Sequence, residues 1–309
     1  MRHLATEKKG FIITVIFLMV FGMVVTLSAS ISVKLHDGMD ITPKILLNIL
    51  VSLSAMVAIM VVMPIHRWKT YRMIYPCVFL LMVLLLVPIV FRIQVNGAYR
   101  WIPLGFFKLQ PAELAKIVVI AFMAYIFSTM RDARPTIHEL VPVGLIVGSV
   151  VILIFLERDV GLPVVISVTV LAMLYVTRTN WRLVAGIGVV GLILFGAAVM
   201  TADHRKQRVM DYLQRLGQET PIDFDKMPDN QLDAAVMAVS SAGFSGKGLG
   251  NSETKFSSLT ESHNDFVFSL IVEELGFIGF VMVAVLYLLF MGFGLWMAYS
   301  AQERFEHYF

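Results

Sequence analysis

Charged residues are scarce in this chain, and their scarcity excludes most classes of soluble protein. They make up 15% of the 309 residues, whereas 58% of the residues are hydrophobic. A soluble globular domain carries roughly 25% charged residues, so the composition predicts an integral membrane protein. The single cysteine, Cys77, excludes a disulfide framework. A net charge of +3 is too small and too dispersed to indicate nucleic-acid binding.

Metal-binding and nucleotide-binding motifs are missing as well. The seven histidines show no metal-ligand spacing. The glycines of residues 243–250 lack both the Gly-Lys-Ser/Thr ending and the flanking strand of a nucleotide-binding loop. This segment is therefore either a plain turn or a loop that lines a substrate cleft, where glycine lets the backbone approach a partner closely.

The chain does contain a series of long apolar runs. Eight can be read, at residues 11–27, 45–63, 74–91, 109–127, 141–155, 162–175, 183–200 and 277–297. Flanking residues extend the shorter runs towards the roughly 20 residues that a membrane-spanning helix needs. Because every backbone amide must be paired inside hydrocarbon, the runs must be helices. The sequence predicts an all-α, polytopic membrane helix bundle of about eight transmembrane helices, formed by one membrane domain over residues 1–309.

The orientation in the membrane follows from lysine and arginine. These residues are more frequent before the first span and after the second, fourth and sixth spans than in the intervening loops. The positive-inside rule then places both termini in the cytoplasm and makes the polar residues 201–276 one large extracytoplasmic loop. Within this loop, residues 203–217 and 230–242 are predicted helices, and residues 219–229 are a proline-containing loop.

Two charged motifs lie outside the predicted spans: one in the loop before the fourth span and one directly after the fifth span. Arg100 and Trp101 are either an interfacial aromatic residue with a snorkelling arginine or a contact for an anionic headgroup or pyrophosphate. Glu157 and Asp159, at an outer span end, either meet Arg100 or Lys116 across the bundle or belong to an ordinary interfacial loop.

A third motif opens the fourth span. Pro111 suits the first position of a helix, and Glu113 and Lys116 follow at the i, i+3 spacing that places them on one helix face. A charge that enters the membrane needs a partner. The two residues form either a structural salt bridge or a pair that lines a cavity.

Asp265 precedes the last apolar run. It is either a helix N-cap or a general base. The second reading is favoured by its neighbours in the sequence, His263, Glu261, Glu273 and Glu274, and by apolar surroundings that raise the pKa of a carboxylate.

Seven short segments, spread over nearly the whole chain, match the motifs of one known protein family and stand in the same order. They are Leu27-Ser-Ala-Ser30, Gly97-Ala-Tyr-Arg-Trp-Ile102, Gln110-Pro-Ala-Glu-Leu-Ala-Lys116, Asp159-Val-Gly161, Gly243-Phe-Ser-Gly-Lys-Gly-Leu-Gly250, Glu261-Ser-His-Asn-Asp-Phe-Val-Phe268 and Glu273-Glu-Leu-Gly-Phe-Ile-Gly279. Through these segments the chain resembles the SEDS family (shape, elongation, division and sporulation), the FtsW/RodA/SpoVE-like cell-wall polymerases.

The resemblance implies a multi-pass enzyme of the bacterial inner membrane that polymerises lipid II with inversion into a β-1,4-linked glycan. Asp265 matches the family's proposed catalytic aspartate, and its implied role is general base on the acceptor sugar hydroxyl while undecaprenyl pyrophosphate leaves. The implied substrate-binding residues are Arg100, Trp101, Lys116, Arg205, Arg208, Lys247 and His263, of which the lysines and arginines would stabilise pyrophosphate charge. The residues implied to support the cavity are Glu113, Asp159 and Glu273.

The implied partners are lipid II, a class B penicillin-binding protein and a cell-division or elongation complex, with no nucleic acid. A divalent cation, Mg²⁺ or Mn²⁺, is expected only with the pyrophosphate, because the residues form no dedicated metal cage. Two other functions stay open: a lipid II flippase and an inactive membrane scaffold for a penicillin-binding protein. Family members usually have ten spans, so the chain is expected to be shortened at its C-terminus. Arg158 stands where the family usually has proline.

Overall fold

The structure is a computed structural model that describes the chain in separate stretches. These are residues 2–37, 46–47, 49–51, 53–54, 71–93, 99–103, 108–130, 135–159, 161–200, 210, 231–250 and 267–309. The chain folds as two compact units. Unit 1 contains Met1–Ala58 and Arg215–Ser300, and unit 2 contains Ile59–Gln214 and Ala301–Phe309.

Helices account for most of the described residues. They are α1 (Arg2–Asp37), α2 (Tyr71–Val90), α3 (Pro111–Thr129), α4 (Ile137–Leu156), α5 (Gly161–Val176), α6 (Trp181–Met200), α7 (Gln231–Ser241), α8 (Val267–Ser300) and α9 (Arg304–Tyr308). The predicted helix at residues 230–242 is confirmed as α7. The predicted helix at residues 203–217 lies, except for Met210, outside the described residues, as does the proline-containing loop.

Five helical segments are long and apolar enough to cross a membrane: Lys9–Ser28, Arg72–Val90, Pro111–Thr129, Ile137–Leu156 and Val267–Ser300. Two shorter apolar segments are Gly161–Val176 and Trp181–Ala197. These seven coincide with seven of the predicted runs, and most of the remaining run, residues 45–63, lies outside the described residues. The helical membrane architecture is confirmed, whereas the count of eight spans and the single large loop stay predictions.

In unit 1, α1 and α8 pack against each other in antiparallel directions. Phe11, in the first third of α1, stacks on Phe290, near the end of α8, with ring centroids 5.2 Å apart. Further along α1, the Ser28 hydroxyl donates to the carboxylate of Glu274, near the start of α8. The two helices therefore lie side by side between these two contacts.

Helix α8 is broken at Gly276. This residue has φ 68° and ψ −157°, a backbone conformation that residues other than glycine rarely adopt. The break separates a lead helix, residues 267–275, from a spanning helix, residues 277–300. At 1.5 Å per residue the spanning helix is about 36 Å long, enough to cross ~30 Å of hydrocarbon by itself. The lead helix is therefore not needed to complete the span.

The glycine-rich residues 243–250 replace the hydrogen bonds that the break removes. In an intact helix, Phe277 would donate to the Glu273 carbonyl and Ile278 to the Glu274 carbonyl. Here the helix groups bond to the loop instead, through Phe277 N to Gly243 O (3.2 Å), Ile278 N to Phe244 O (3.4 Å), Lys247 N to Glu273 O (2.9 Å) and Gly248 N to Glu274 O (2.9 Å). We call these four bonds the loop junction. It satisfies backbone groups that would be costly to leave unpaired in a membrane protein.

Two glycines allow the loop junction to form. A Cβ atom on Gly246 would overlap the backbone carbonyl of Glu274, and one on Gly276 would overlap the backbone carbonyl of Phe244. Both glycines also have positive φ. The predicted glycine-rich turn is confirmed, and its backbone approaches a partner closely, as glycine permits.

In unit 2, α3 packs against α2, α4, α5 and α9. Buried alanines recur along it, at Ala112, Ala115, Ala121 and Ala124, and small residues let neighbouring helices approach closely. Pro111 occupies the start of α3, as predicted. The first turn of this well-packed helix carries the charged motif, so that motif has a rigid support.

The last helix, α9, packs on the end of α3. Phe305 is buried, and Tyr308 meets Phe127 edge to face with ring centroids 6.2 Å apart. Arg304 Nη1 donates to the carbonyl of Met130 (3.1 Å), which follows α3 directly. A cation at this place also complements the negative end of the α3 dipole.

A short antiparallel strand pair precedes α3, although the sequence predicted an all-α fold. Strand β1 (Ile102–Pro103) pairs with β2 (Lys108–Leu109), with Ile102 opposite Leu109. In this register Trp101 and Gln110 are the next residues outward on the two strands. The pair therefore brings the segment around Arg100 back to the start of α3.

Candidate functional site

Asp159 lies at the turn between α4 and α5 and caps the start of α5. Its Oδ1 accepts hydrogen bonds from the backbone amides of Gly161 (3.0 Å) and Leu162 (3.2 Å). These amides are among those that a helix start leaves without an intrahelical partner. The cap fixes one carboxylate oxygen and leaves the other, Oδ2, for side chains.

Two side chains from the segment around the strand pair approach Asp159 Oδ2. Gln110 Nε2 lies 3.4 Å away, and Arg100 Nη1 lies 3.8 Å away in an ion pair. The Asp159 side chain is nearly buried, whereas that of Arg100 is 38% exposed. The sequence left open whether the acidic turn meets Arg100, meets Lys116 or is an ordinary interfacial loop, and the structure shows the contact with Arg100. We call Arg100, Gln110, Glu157 and Asp159 the Asp159 site.

The residues around Arg100 are held against the acidic turn by two further contacts. The Tyr99 amide donates to the Glu157 carbonyl (3.1 Å). The Arg158 guanidinium lies over the Tyr99 ring, 5.3 Å from its centroid, in the geometry of a cation–π contact. Arg158 has φ 67°, which turns the chain between Glu157 and Asp159. Arg158, the replacement for the family's proline, thus contributes a contact of its own.

Glu157 is the most unusual group of the site. Its residue exposure is 0%, and neither carboxylate oxygen has a hydrogen-bond partner among the described residues. Burial first, and the charge of Asp159 second, raise the pKa of Glu157 to about 8. At neutral pH the carboxyl is therefore mostly protonated and neutral, which removes the large cost of a buried unpaired charge.

Glu113 and Lys116 form the predicted ion pair on the first turns of α3. Lys116 Nζ lies 2.6 Å from Glu113 Oε2, and both side chains are partly exposed. An exposed pair of this kind contributes at most about 1 kcal/mol to stability. An approaching ligand can therefore separate the two groups at little cost.

Unit 1 holds a second group of charges, at the loop junction. Lys247 Nζ lies 3.2 Å from Glu273 Oε1, and the Glu273 side chain is 1% exposed. The adjacent Glu274 is buried as well; its carboxylate accepts from the Ser28 hydroxyl (2.8 and 3.0 Å) and from the Gly250 amide (3.0 Å). Both carboxylates are thus used to hold the loop on α8.

The predicted site residues fall into three sets. Unit 2 contains Arg100, Trp101, Glu113, Lys116 and Asp159, and unit 1 contains Lys247 and Glu273. The other candidates lie outside the described residues: Arg205, Arg208, His263 and Asp265. No group of three or more His, Cys, Asp or Glu side chains placed to hold a metal ion occurs in the stretches that the structure describes.

The predicted set omitted several polar residues that the structure brings into these groups: Ser28, Gln110, Glu157 and Glu274. Three of them stand inside the quoted family segments, and Glu157 stands two residues before another. The sequence signal was therefore present, but the side chains that Ser28 and Gln110 contact lie far along the chain. Neither these contacts nor the burial of Glu157 was readable from the sequence.

A family model described as a cell cycle protein, FtsW/RodA/SpoVE, matches residues 8–309. The chain belongs to this family. The resemblance to the SEDS proteins is thereby confirmed, and the Asp159 site and the loop junction are parts of a SEDS membrane fold.

Individual SEDS relatives agree with the family match. A protein of Taylorella equigenitalis named probable peptidoglycan glycosyltransferase FtsW is 36% identical over 255 residues, which cover 81% of this chain and 67% of that protein. A protein of the same name from Geobacter sp. (strain M18) is 30% identical over 95% of this chain and 79% of that protein.

Solved structures share the SEDS fold. A peptidoglycan synthase complex that coordinates polymerization and crosslinking gives a TM-score of 0.66 at 20% identity, covering 94% of this chain and 80% of that one. A mutant of the rod shape determining protein RodA of Thermus thermophilus gives 0.63 at 19% identity, covering 97% of this chain and 79% of that one. At such identities the likeness concerns the fold alone.

Proposed function

We propose that this chain is a membrane peptidoglycan glycosyltransferase that polymerises lipid II. It transfers glycan from undecaprenyl-pyrophosphate-linked lipid II to an acceptor sugar hydroxyl and forms a β-1,4 bond with inversion. The observation that carries the proposal is the family match over residues 8–309, which relatives named as probable peptidoglycan glycosyltransferases support at 36% and 30% identity.

The proposal assigns the stabilisation of negative charge on the departing pyrophosphate to cationic side chains. Arg100 is ion-paired with Asp159 but partly exposed, so its remaining N–H donors can turn to an anion. A guanidinium matches two phosphate oxygens at once. Lys116 adds a second cation from its partly exposed pair. Arg205 and Arg208 complete this set in the proposal.

Proton removal from the acceptor hydroxyl is assigned to Asp265. The assignment rests on the family motif at residues 261–268, since Asp265 itself lies outside the described residues. When the base removes the proton, the acceptor oxygen displaces the pyrophosphate in a single step, and a single displacement inverts the configuration at the donor carbon.

Sugar contacts are assigned to Trp101 and His263, and support of the cavity to Glu113, Asp159 and Glu273. A divalent cation, Mg²⁺ or Mn²⁺, is proposed only as a companion of the substrate pyrophosphate. The proposal keeps both termini in the cytoplasm, as the distribution of lysine and arginine predicts, and names a class B penicillin-binding protein as the partner. The fold likeness to a complex that coordinates polymerization and crosslinking supports this partnership.

The decisive experiment gives fluorescent lipid II to the purified full chain, with and without a class B penicillin-binding protein, and resolves the products as a glycan ladder. The wild type should make polymer, and Asp265→Asn should lower the rate at least about a hundredfold. Asp233→Asn, a change of the same type at an aspartate of α7 outside the family segments, is the matched control. Equal polymer from wild type and Asp265→Asn would show that Asp265 is not the base.

The alternatives predict different products. A flippase would make no glycan ladder but would carry labelled lipid II across the membrane of reconstituted vesicles. A scaffold would do neither and would only bind the penicillin-binding protein. Either outcome would replace the polymerase proposal.

A further inference from the structure

Lys247 makes two contacts with the same residue of α8. Its ammonium group lies 3.2 Å from the Glu273 carboxylate, and its backbone amide donates to the Glu273 carbonyl (2.9 Å). The Glu273 side chain is almost fully buried. Because a buried carboxylate without a partner is strongly unfavourable, Glu273 holds the Lys247 ammonium at the helix.

A parallel attachment lies one residue further along α8. The buried Glu274 carboxylate accepts the Gly250 amide, and the Glu274 carbonyl accepts the Gly248 amide (2.9 Å). Ser28 of α1 donates to the same carboxylate. The loop is thus tied to two consecutive residues of α8 by both their side chains and their carbonyls.

These attachments all reach the last turn of the lead helix, residues 267–275. The break at Gly276 removes the continuous helix that would otherwise fix its direction. Its end is held instead by the loop and by α1, through the Ser28 bond to Glu274 and the packing of Leu270 on Val25. The lead helix begins within the family segment 261–268. The direction of the lead helix therefore depends on the loop contacts of Lys247 and Gly250 together with its contacts to α1.

We propose that Lys247 is a positioning residue: it acts through Glu273 to keep the loop in the break of α8 and so orients the lead helix, rather than by touching the anionic donor. This inference deepens the proposed function and rests on it. It changes the role expected for Lys247 from substrate contact to support.

A double-mutant comparison separates the two roles. Lys247→Met and Glu273→Gln should each lower kcat for lipid II polymerisation about tenfold or more, because small displacements of reacting groups are costly, with KM changed less than about twofold. The double variant should be no slower than the slower single variant, as expected for two residues that act as one pair. A raised KM in Lys247→Met with normal kinetics in Glu273→Gln would mean direct substrate contact and overturn the inference. Independent, multiplying losses would overturn it as well.

Hydrogen exchange on the same purified full chain tests the attachment without substrate. In the wild type, peptides that contain the Phe277 and Ile278 amides should exchange as slowly as the rest of the spanning helix, and either single variant should speed their exchange about tenfold or more. Lys9→Met, the same change at an exposed lysine of α1, is the control and should have no effect there. Unchanged exchange in both variants would overturn the attachment.

The two readouts also separate this inference from the proposed function. A wild type that makes no polymer but shows the expected exchange pattern refutes the proposed function, while the attachment of the loop to α8 stands. A wild type that polymerises lipid II, with variants that change neither kinetics nor exchange, refutes this inference alone.

Discussion

Alanine substitutions at Gly246 and Gly243 test how tightly the loop is held in the break of α8. Both residues have positive φ, 74° and 62°, so alanine brings the same backbone penalty to either position. Their surroundings differ, because a Cβ atom at position 246 would overlap the Glu274 carbonyl, whereas nothing lies within 4 Å of one at position 243. The comparison therefore separates steric exclusion from backbone strain.

The expected magnitudes differ by several kcal/mol. The left-handed conformation costs alanine about 1–2 kcal/mol, which is the whole effect expected for Gly243→Ala. Gly246→Ala must also move the loop away from helix backbone, which breaks or lengthens the four bonds of the loop junction at about 1 kcal/mol each. The total of about 5–6 kcal/mol is comparable with the entire stability of many domains.

The assay is thermal unfolding of the purified chain in detergent at a fixed heating rate, checked by size-exclusion chromatography. Gly243→Ala should lower the midpoint by a few degrees, and Gly250→Ala, which also has positive φ and open space, should behave like it. Gly246→Ala should lower the midpoint by about 10 °C or more, or leave no monodisperse protein. Equal midpoints for Gly246→Ala and Gly243→Ala would refute the close packing of the loop against α8.

Three further predictions concern buried polar groups. The pKa of Glu157 is raised to about 8 from 4.5, so between these pH values the folded chain binds more protons than the unfolded chain, and the stability that Glu157 contributes is lost as the pH rises from about 5 to 8. The unfolding midpoint of Glu157→Gln, which does not titrate, should therefore rise relative to that of the wild type across this pH range. A difference that stays constant with pH would contradict the buried neutral carboxyl. Asp159→Ala should lose the cap of α5 and with it about 1 kcal/mol or more of stability. Asp159→Asn keeps a capping oxygen and should therefore unfold at a higher midpoint than Asp159→Ala. Equal unfolding midpoints for the two variants would argue against the cap. Ser28→Ala removes a hydrogen bond to the buried Glu274 carboxylate and should lower the free energy of unfolding by about 1.5–3 kcal/mol. The control Thr26→Ala should lower it much less, because the Thr26 hydroxyl bonds within its own helix. A similar loss of stability in both variants would show that the Glu274 contact is unimportant.

Features that depend on neighbouring residues were predicted well. The i, i+3 pair of Glu113 and Lys116 and the helix start at Pro111 both follow from the geometry of one helix turn, and both are confirmed. The turn at residues 243–250 was likewise visible, because glycine at positive φ is a local signal.

Features that depend on distant segments were only partly predicted. The sequence left Arg100 and Lys116 as alternative partners for the acidic turn, and the structure gives Asp159 the first of them. Gln110 joins the same carboxylate only because the strand pair folds the chain back. The burial of Glu157, whose carboxylate has no hydrogen-bond partner among the residues that the structure describes, depends on the packing around the end of α4. A single sequence carries no direct signal for such packing.

The membrane class, the helical architecture and the family could be predicted from the amino-acid sequence alone, because hydrocarbon requires long apolar helices and because the family motifs are short continuous segments. The break of α8 at Gly276 and its occupation by residues 243–248 are seen only in the folded chain. The physical reason is that these contacts join backbone groups, which every residue possesses, across segments far apart in the sequence. The same packing gave Lys247 a buried carboxylate as its partner, which turned a candidate for substrate binding into a candidate for support.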